Sequence, residues 1–130
     1  MGILSEVRER IDQEPAELLT AVGLGTVFIV FGAWELSNPV YWQGYVPEIL
    51  ASFQPLLLVK AHGLVMLLAG IGINMPRARR EFSIVSVLLM LEIVASLSIE
   101  SGFSDILVRD IGLLFMALAA MTKAFSTSSG

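Results

Sequence analysis

Four apolar runs, each 17 to 20 residues long, take up more than half of this 130-residue chain. At a rise of about 1.5 Å per residue, a helix of this length crosses a hydrocarbon layer of about 30 Å. None of the runs alternates with a period of two, and backbone in lipid must satisfy its own hydrogen bonds. The sequence therefore predicts an all-α integral membrane protein with transmembrane helices at about 18–36, 56–75, 82–99 and 105–123.

Short connections between these runs indicate a single domain over residues 1–125, folded as a four-helix up-and-down bundle. A polar tail, 126–130, follows it. Prolines and capping residues predict where the helices start and stop: Pro15 and Pro55 suit first turns, Asn38-Pro39 ends the first span, Pro76 closes the second, and Ser104-Asp105 suits a helix start.

Two shorter helices are predicted at the membrane surfaces. Apolar residues on one face indicate an amphipathic N-terminal helix, which lies on the membrane or against a partner, or is simply solvated; they are Ile3, Leu4, Val7 and Ile11. Between the first two spans, Tyr41, Trp42 and Tyr45 form an aromatic group typical of a headgroup region, and 47–54 reads as a short outer helix.

Basic residues near the span ends predict the orientation. They lie before the first span, between the second and third, and after the fourth, while 37–54 and 100–104 contain none. Because positive loops stay in the cytoplasm, we expect both termini to be cytoplasmic.

Composition excludes several functions. The chain is 55% hydrophobic and has a net charge of −4, so it offers no basic surface for nucleic acid. With no cysteine and one histidine, we expect no metal site and no cofactor held covalently or by metal ligation.

Small residues in the spans predict close helix contacts, because apolar surface gains little by leaving lipid for another apolar helix. The pattern comprises Ala21, Gly25, Gly63, Gly70, Gly112, Ala117 and Ala120.

Ionisable residues inside the spans are costly in lipid and mark candidate sites. The candidates for ligand binding or proton transfer are His62, Glu92, Arg109 and Asp110. The candidates for structural ion pairs are Glu35, Lys60 and Asp105. With cytoplasmic termini, the ionisable residues within the spans all belong to the outer half, with Glu92 near or somewhat above the middle. From their depths we also expect Glu92 and Arg109 to interact across the third and fourth spans.

Three motifs carry a family resemblance: 25–32 followed by Asn38-Pro39, His62-Gly63 followed by 70–72, and 105–114 with its Arg109-Asp110 pair. Together they resemble the DoxX-like (DoxD-like) family over roughly residues 17–123. The resemblance implies a four-helix bundle in a prokaryotic plasma membrane, with links in some members to thiosulfate:quinone oxidoreduction. By motif it points to Arg109 and Asp110, whereas Met66 stands where many members have an acid.

Two functions remain open. The chain is an accessory or quinone-associated component of a membrane redox complex, with His62 or Arg109 binding a quinone carbonyl and Glu92 or Asp110 moving the proton. Alternatively it is a structural or scaffold protein without a redox role. Since it lacks residues to hold an electron carrier, we do not expect it to be catalytic alone. Expected partners are membrane lipid and other membrane subunits or a second copy, and the expected ligand is quinone or lipid.

Overall fold

A computed structural model describes residues 2–11 and 15–128, and these residues are almost entirely helical, with no strand among them. The elements are α1 (Ile3–Ile11), α2 (Pro15–Ser37), α3 (Pro39–Trp42), a 3-10 turn (Gln43–Tyr45), α4 (Glu48–Ala51), α5 (Pro55–Gly72), α6 (Arg79–Ser101) and α7 (Asp105–Ser128).

The helix boundaries follow the predicted signals closely. Helix α2 begins at Pro15 and ends at Ser37, just before Asn38-Pro39. Pro55 occupies the first turn of α5, and Gln54 before it adopts a left-handed conformation (φ 41°) that redirects the chain. At the start of α7 the Leu107 backbone N–H donates to Ser104 Oγ at 3.2 Å, which is the expected cap.

The ends of most predicted spans lie within three residues of the observed helix ends, and two predicted segments differ more. The outer helix is limited to α4, so it covers only half of 47–54. Helix α7 continues to Ser128, through most of the predicted polar tail, and residues 129–130 lie outside the described part. Helix propensity over one further turn outweighs the polarity of the serines, whose hydroxyls can bond to backbone carbonyls, as Ser126 does to Lys123.

Three of the described helices are long and apolar enough to cross a membrane: α2, α5 and α6. Helix α7, at 24 residues, is longer than any of them but carries Arg109, Asp110 and Lys123, and it is not among the three.

The four long helices run antiparallel to their neighbours, as inter-helix contacts along their lengths show. Gly25 lies against Gly70 and Gly32 lies against Gly63, so α5 runs antiparallel to α2. Glu92 on α6 contacts His62 on α5, and Arg109 on α7 contacts Phe31 on α2. The fold thus has an aromatic end, where α2 ends and α7 begins, and a basic end, where α2 begins and Arg79 lies.

Glycines bring α2 and α5 into backbone contact. A Cβ on Gly32 would lie 2.7 Å from Gly63 O, and one on Gly70 would lie 2.8 Å from Gly25 O. The predicted roles of Gly25, Gly63 and Gly70 are therefore confirmed. The prediction that Gly112 makes a close helix contact is wrong, since a Cβ there would meet nothing within 4 Å.

Helices α6 and α7 form the second close pair. Ala117 and Ala120 are buried, as predicted, and Ser83 and Ser86 are fully buried small residues on α6. Between the two pairs lies an apolar core that includes Leu24, Phe28, Met66, Ala69, Ile73, Met90 and Ala117.

Helix α1 lies at the basic end, where Glu6 is 3.8 Å from Arg77. Its apolar residues Ile3, Leu4 and Val7 are exposed. This segment is therefore helical as predicted, with an apolar face turned away from the rest of the fold.

Candidate functional site

A cavity of about 630 Å³ lies between the α2–α5 pair and the α6–α7 pair, within the range typical of small-molecule sites. Its walls are mostly apolar and aromatic. Five ionisable side chains from the four long helices line it: Glu35, His62, Glu92, Arg109 and Asp110.

His62 holds two carboxylates from different helices at once. Its Nδ1 lies 2.9 Å from Glu35 Oε2 on α2, and its Nε2 lies 2.8 Å from Glu92 Oε2 on α6. The close approach of α2 and α5 positions the first contact, because a Cβ on Gly63 would lie only 2.8 Å from Glu35 Cβ. A side chain larger than glycine beside His62 would push this carboxylate away.

The two hydrogen bonds are compatible with two proton arrangements of equal charge. In one, a doubly protonated imidazole donates to two carboxylates; in the other, a neutral imidazole donates to one glutamate and accepts from the other, which is then protonated. Both forms hold the same number of protons and carry a net charge of −1. The cluster can therefore rearrange its protons without breaking either hydrogen bond.

Arg109 and Asp110 form a second pair in the same cavity. Arg109 Nε lies 3.2 Å from Asp110 Oδ1, and Asp110 is buried. The Arg109 guanidinium carbon lies 5.8 Å from the centre of the Phe31 ring, within the range of a cation–π contact. Its two terminal nitrogens make no hydrogen bond among the described residues, so they are able to donate to a ligand.

A group of aromatic side chains lines the cavity at the aromatic end. The Trp34 ring stacks on the Tyr41 ring, with 5.3 Å between their centroids, and meets the Trp42 ring edge-on at a centroid distance of 5.1 Å. The Trp42 and Tyr45 ring centroids are 5.5 Å apart. The sequence identified Tyr41, Trp42 and Tyr45. Trp34 and Phe31 were not identified from the sequence, although they lie on α2 only one and four residues before Glu35.

The predicted site residues thus form two pairings that depth alone did not predict. Glu92 and Arg109 do not pair with each other among the described contacts: Glu92 bonds His62, and Arg109 bonds Asp110. Asp105 lies in the first turn of α7, where its Oδ1 accepts the Ile106 N–H, and Lys60 is exposed outside the cavity lining.

No grouping suited to a metal ion occurs among residues 2–11 and 15–128. The two glutamates sit on opposite nitrogens of one ring, so their oxygens do not converge on a common point.

No family model, curated protein or solved structure matched the chain in the comparisons made. The chemistry of the cavity therefore has to be deduced from its own side chains.

Proposed function

We propose that this is a DoxX-like protein of a prokaryotic plasma membrane, in which all four long helices cross the bilayer and both termini are cytoplasmic. Helix α7 spans Asp105–Ser128, about 36 Å at 1.5 Å per residue, which is sufficient to cross. Arg109 and Asp110 line the cavity, which supports a transmembrane position despite their charge. The aromatic end then faces outward.

The proposed orientation predicts opposite labelling of two single-cysteine variants, which are easy to make because the chain contains no cysteine. In intact cells a membrane-impermeant maleimide should label Gln43→Cys, at the aromatic end, and should label Arg8→Cys only after permeabilisation. Labelling in the reverse order would invert the proposed topology.

Within this membrane fold, we infer that the cavity binds a lipid-soluble quinone and that the protein acts as an accessory component of a membrane redox complex. The observation that carries the inference is that the Arg109 guanidinium lines the same apolar and aromatic cavity as an acid–imidazole–acid cluster. Apolar walls suit a quinone ring and tail, and a few polar groups fix its orientation.

The residues have separate roles in this proposal. Arg109 donates from a terminal nitrogen to a carbonyl oxygen, held in place by Asp110 and Phe31. His62 does not bind the ligand, because both of its ring nitrogens are occupied by glutamates. Glu92 lines the cavity and exchanges protons. A bound quinone supplies two-electron, two-proton redox chemistry, and a partner subunit supplies the electron carrier.

Quinone binding is measurable by tryptophan fluorescence, because both tryptophans of the chain, Trp34 and Trp42, line the cavity. We expect decylubiquinone to quench their emission saturably in protein reconstituted into nanodiscs. Arg109→Met should raise the dissociation constant about 10- to 100-fold, since a hydrogen bond from a charged donor contributes about 1.5–3 kcal/mol.

Lys60→Met is the matched control, since it makes the same change on an exposed residue outside the cavity and should leave the dissociation constant unchanged. Circular dichroism verifies that each variant is folded. Quenching that does not saturate in the wild type, or equal affinity in all three proteins, would contradict the proposed ligand.

A scaffold role is the second candidate. It is favoured by the way His62 joins three helices, which satisfies both ring nitrogens internally and locks α2, α5 and α6 together. Absence of quinone binding together with stable co-purification of membrane partners would support this role.

A further inference from the structure

We propose that Glu92, His62 and Glu35 form a proton relay along the wall of the cavity, from its deep part toward the aromatic end of the protein. The relay deepens the proposed function, on which it rests, by assigning the route of the protons that a ligand in the cavity gives or takes. Its two hydrogen bonds, 2.8 Å and 2.9 Å, are short enough for transfer without movement of the backbone.

Depth and exposure give the relay two distinct ends. Glu92 lies about 13 Å along α6 from its end at Ser101, His62 about 10 Å along α5 from Pro55, and Glu35 about 3 Å along α2 from Ser37. In the same order the side chains are 52%, 23% and 10% exposed. Glu92 is thus the deep, accessible end, and Glu35 is the enclosed end nearest the surface.

Proton transfer balances within the three residues. At the start Glu92 is protonated and donates to Nε2, while Nδ1–H donates to the Glu35 carboxylate. The Glu92 O–H bond breaks as Nε2–H forms, and Nδ1–H breaks as an O–H bond forms on Glu35. One proton has crossed the ring and the negative charge has moved from Glu35 to Glu92. The reverse pair of transfers carries a proton inward.

Other charged groups near the relay do not interrupt it. On α7, Arg109 and Asp110 line the same cavity and pair with each other. On α5, Lys60 is exposed away from the cavity. The only titratable side chains that the segment between α2 and α4 contributes to the lining are the phenols of Tyr41 and Tyr45.

Toward the basic end the route is closed by apolar side chains. Phe28, Met66 and Met90 are all at most 4% exposed, and they line the cavity from three helices. None of them offers a group that transfers a proton. The relay therefore leads from the deep part of the cavity toward the aromatic end and not toward the basic end.

The single histidine of the chain makes the test specific, because protein labelled with ¹⁵N-histidine gives NMR signals from His62 alone. The measurement is saturation transfer from water to each ring N–H in nanodiscs without quinone. A relay predicts that Nδ1–H, although it faces the enclosed Glu35, exchanges within a few-fold of the rate of Nε2–H.

Replacing a glutamate by glutamine keeps a hydrogen-bonding group but removes proton transfer. Glu92→Gln should slow exchange at both nitrogens at least 10-fold, and Glu35→Gln should slow it at Nδ1 only. Glu100→Gln is the matched control: it makes the same change on α6, outside the cavity lining, and should leave both rates unchanged.

Two results would overturn the relay: wild-type Nδ1–H exchanging at least 100-fold more slowly than Nε2–H, or folded Glu92→Gln exchanging like the wild type. The first needs no variant, so a failure of Glu92→Gln to fold leaves the proposal testable. Because quinone is absent throughout, fast exchange without quinone quenching would retain the relay and reject only the quinone.

Discussion

Gly32→Ala should destabilise the protein by about 1–3 kcal/mol, the usual cost of an extra methyl group in a close-packed contact. The new Cβ would lie 2.7 Å from Gly63 O and 2.7 Å from Leu67 N. Both are backbone atoms of α5, so no side chain can rotate to make room, and the two helices must separate. The loss of stability is measured by unfolding the protein in mixed micelles with increasing denaturant, with circular dichroism as the readout.

Gly112→Ala is the control for this experiment. It is also a mid-helix glycine, but its Cβ would enter open space. Alanine is the better helix former by about 1 kcal/mol, so this variant should be as stable as the wild type or more so. Equal losses in the two variants would show that helix propensity, rather than the α2–α5 contact, determines the effect.

The helix pattern could be predicted because it depends on local signals. Apolar run length, prolines and the Ser104 cap each act within one helix, and the observed ends of α2, α5 and α7 match them at Ser37, Pro55 and Asp105. Contacts between helices depend on rotation about the helix axis. Gly32 was missed, although its spacing of seven from Gly25 repeats that of Gly63 and Gly70.

The sequence predicted which ionisable residues belong to the candidate site, but it did not predict which of them pair with each other. Depth along each span placed the ionisable side chains at comparable heights, and the cavity brings five of them together. The depth of a residue along its helix does not determine which neighbouring helix its side chain faces. Glu92 faces α5 and therefore contacts His62 rather than Arg109. The long Arg109 side chain also bends back to Asp110, although adjacent residues point about 100° apart on a helix.

In the sequence, Arg79 is one of the basic residues between the second and third spans that predict the orientation, and no sequence signal predicts its burial. It is 3% exposed. Its Nε donates to Ile73 O at 2.7 Å, which ties the start of α6 to the end of α5. Its sequence neighbours Arg77 and Arg80 give no local signal that this arginine alone turns inward.

Glu17→Leu should cost about 3–5 kcal/mol, because it leaves the buried Arg79 guanidinium without its carboxylate. Glu17 Oε1 lies 2.9 Å from the Arg79 terminal nitrogen Nη1. The other terminal nitrogen has no partner among the described residues, so no second acceptor compensates the loss.

A double-mutant cycle separates this pair from general effects of substitution. Glu17→Leu combined with Arg79→Met should cost less than the sum of the two single changes, with a coupling of about 0.5–3 kcal/mol, because no unpaired charge remains buried. Glu6→Leu is the control, since Glu6 and Arg77 are 3.8 Å apart and more exposed, and it should cost at most about 1 kcal/mol. Strictly additive losses at Glu17 and Arg79 would mean that water or lipid headgroups neutralise the guanidinium, and that the basic end is held by packing alone.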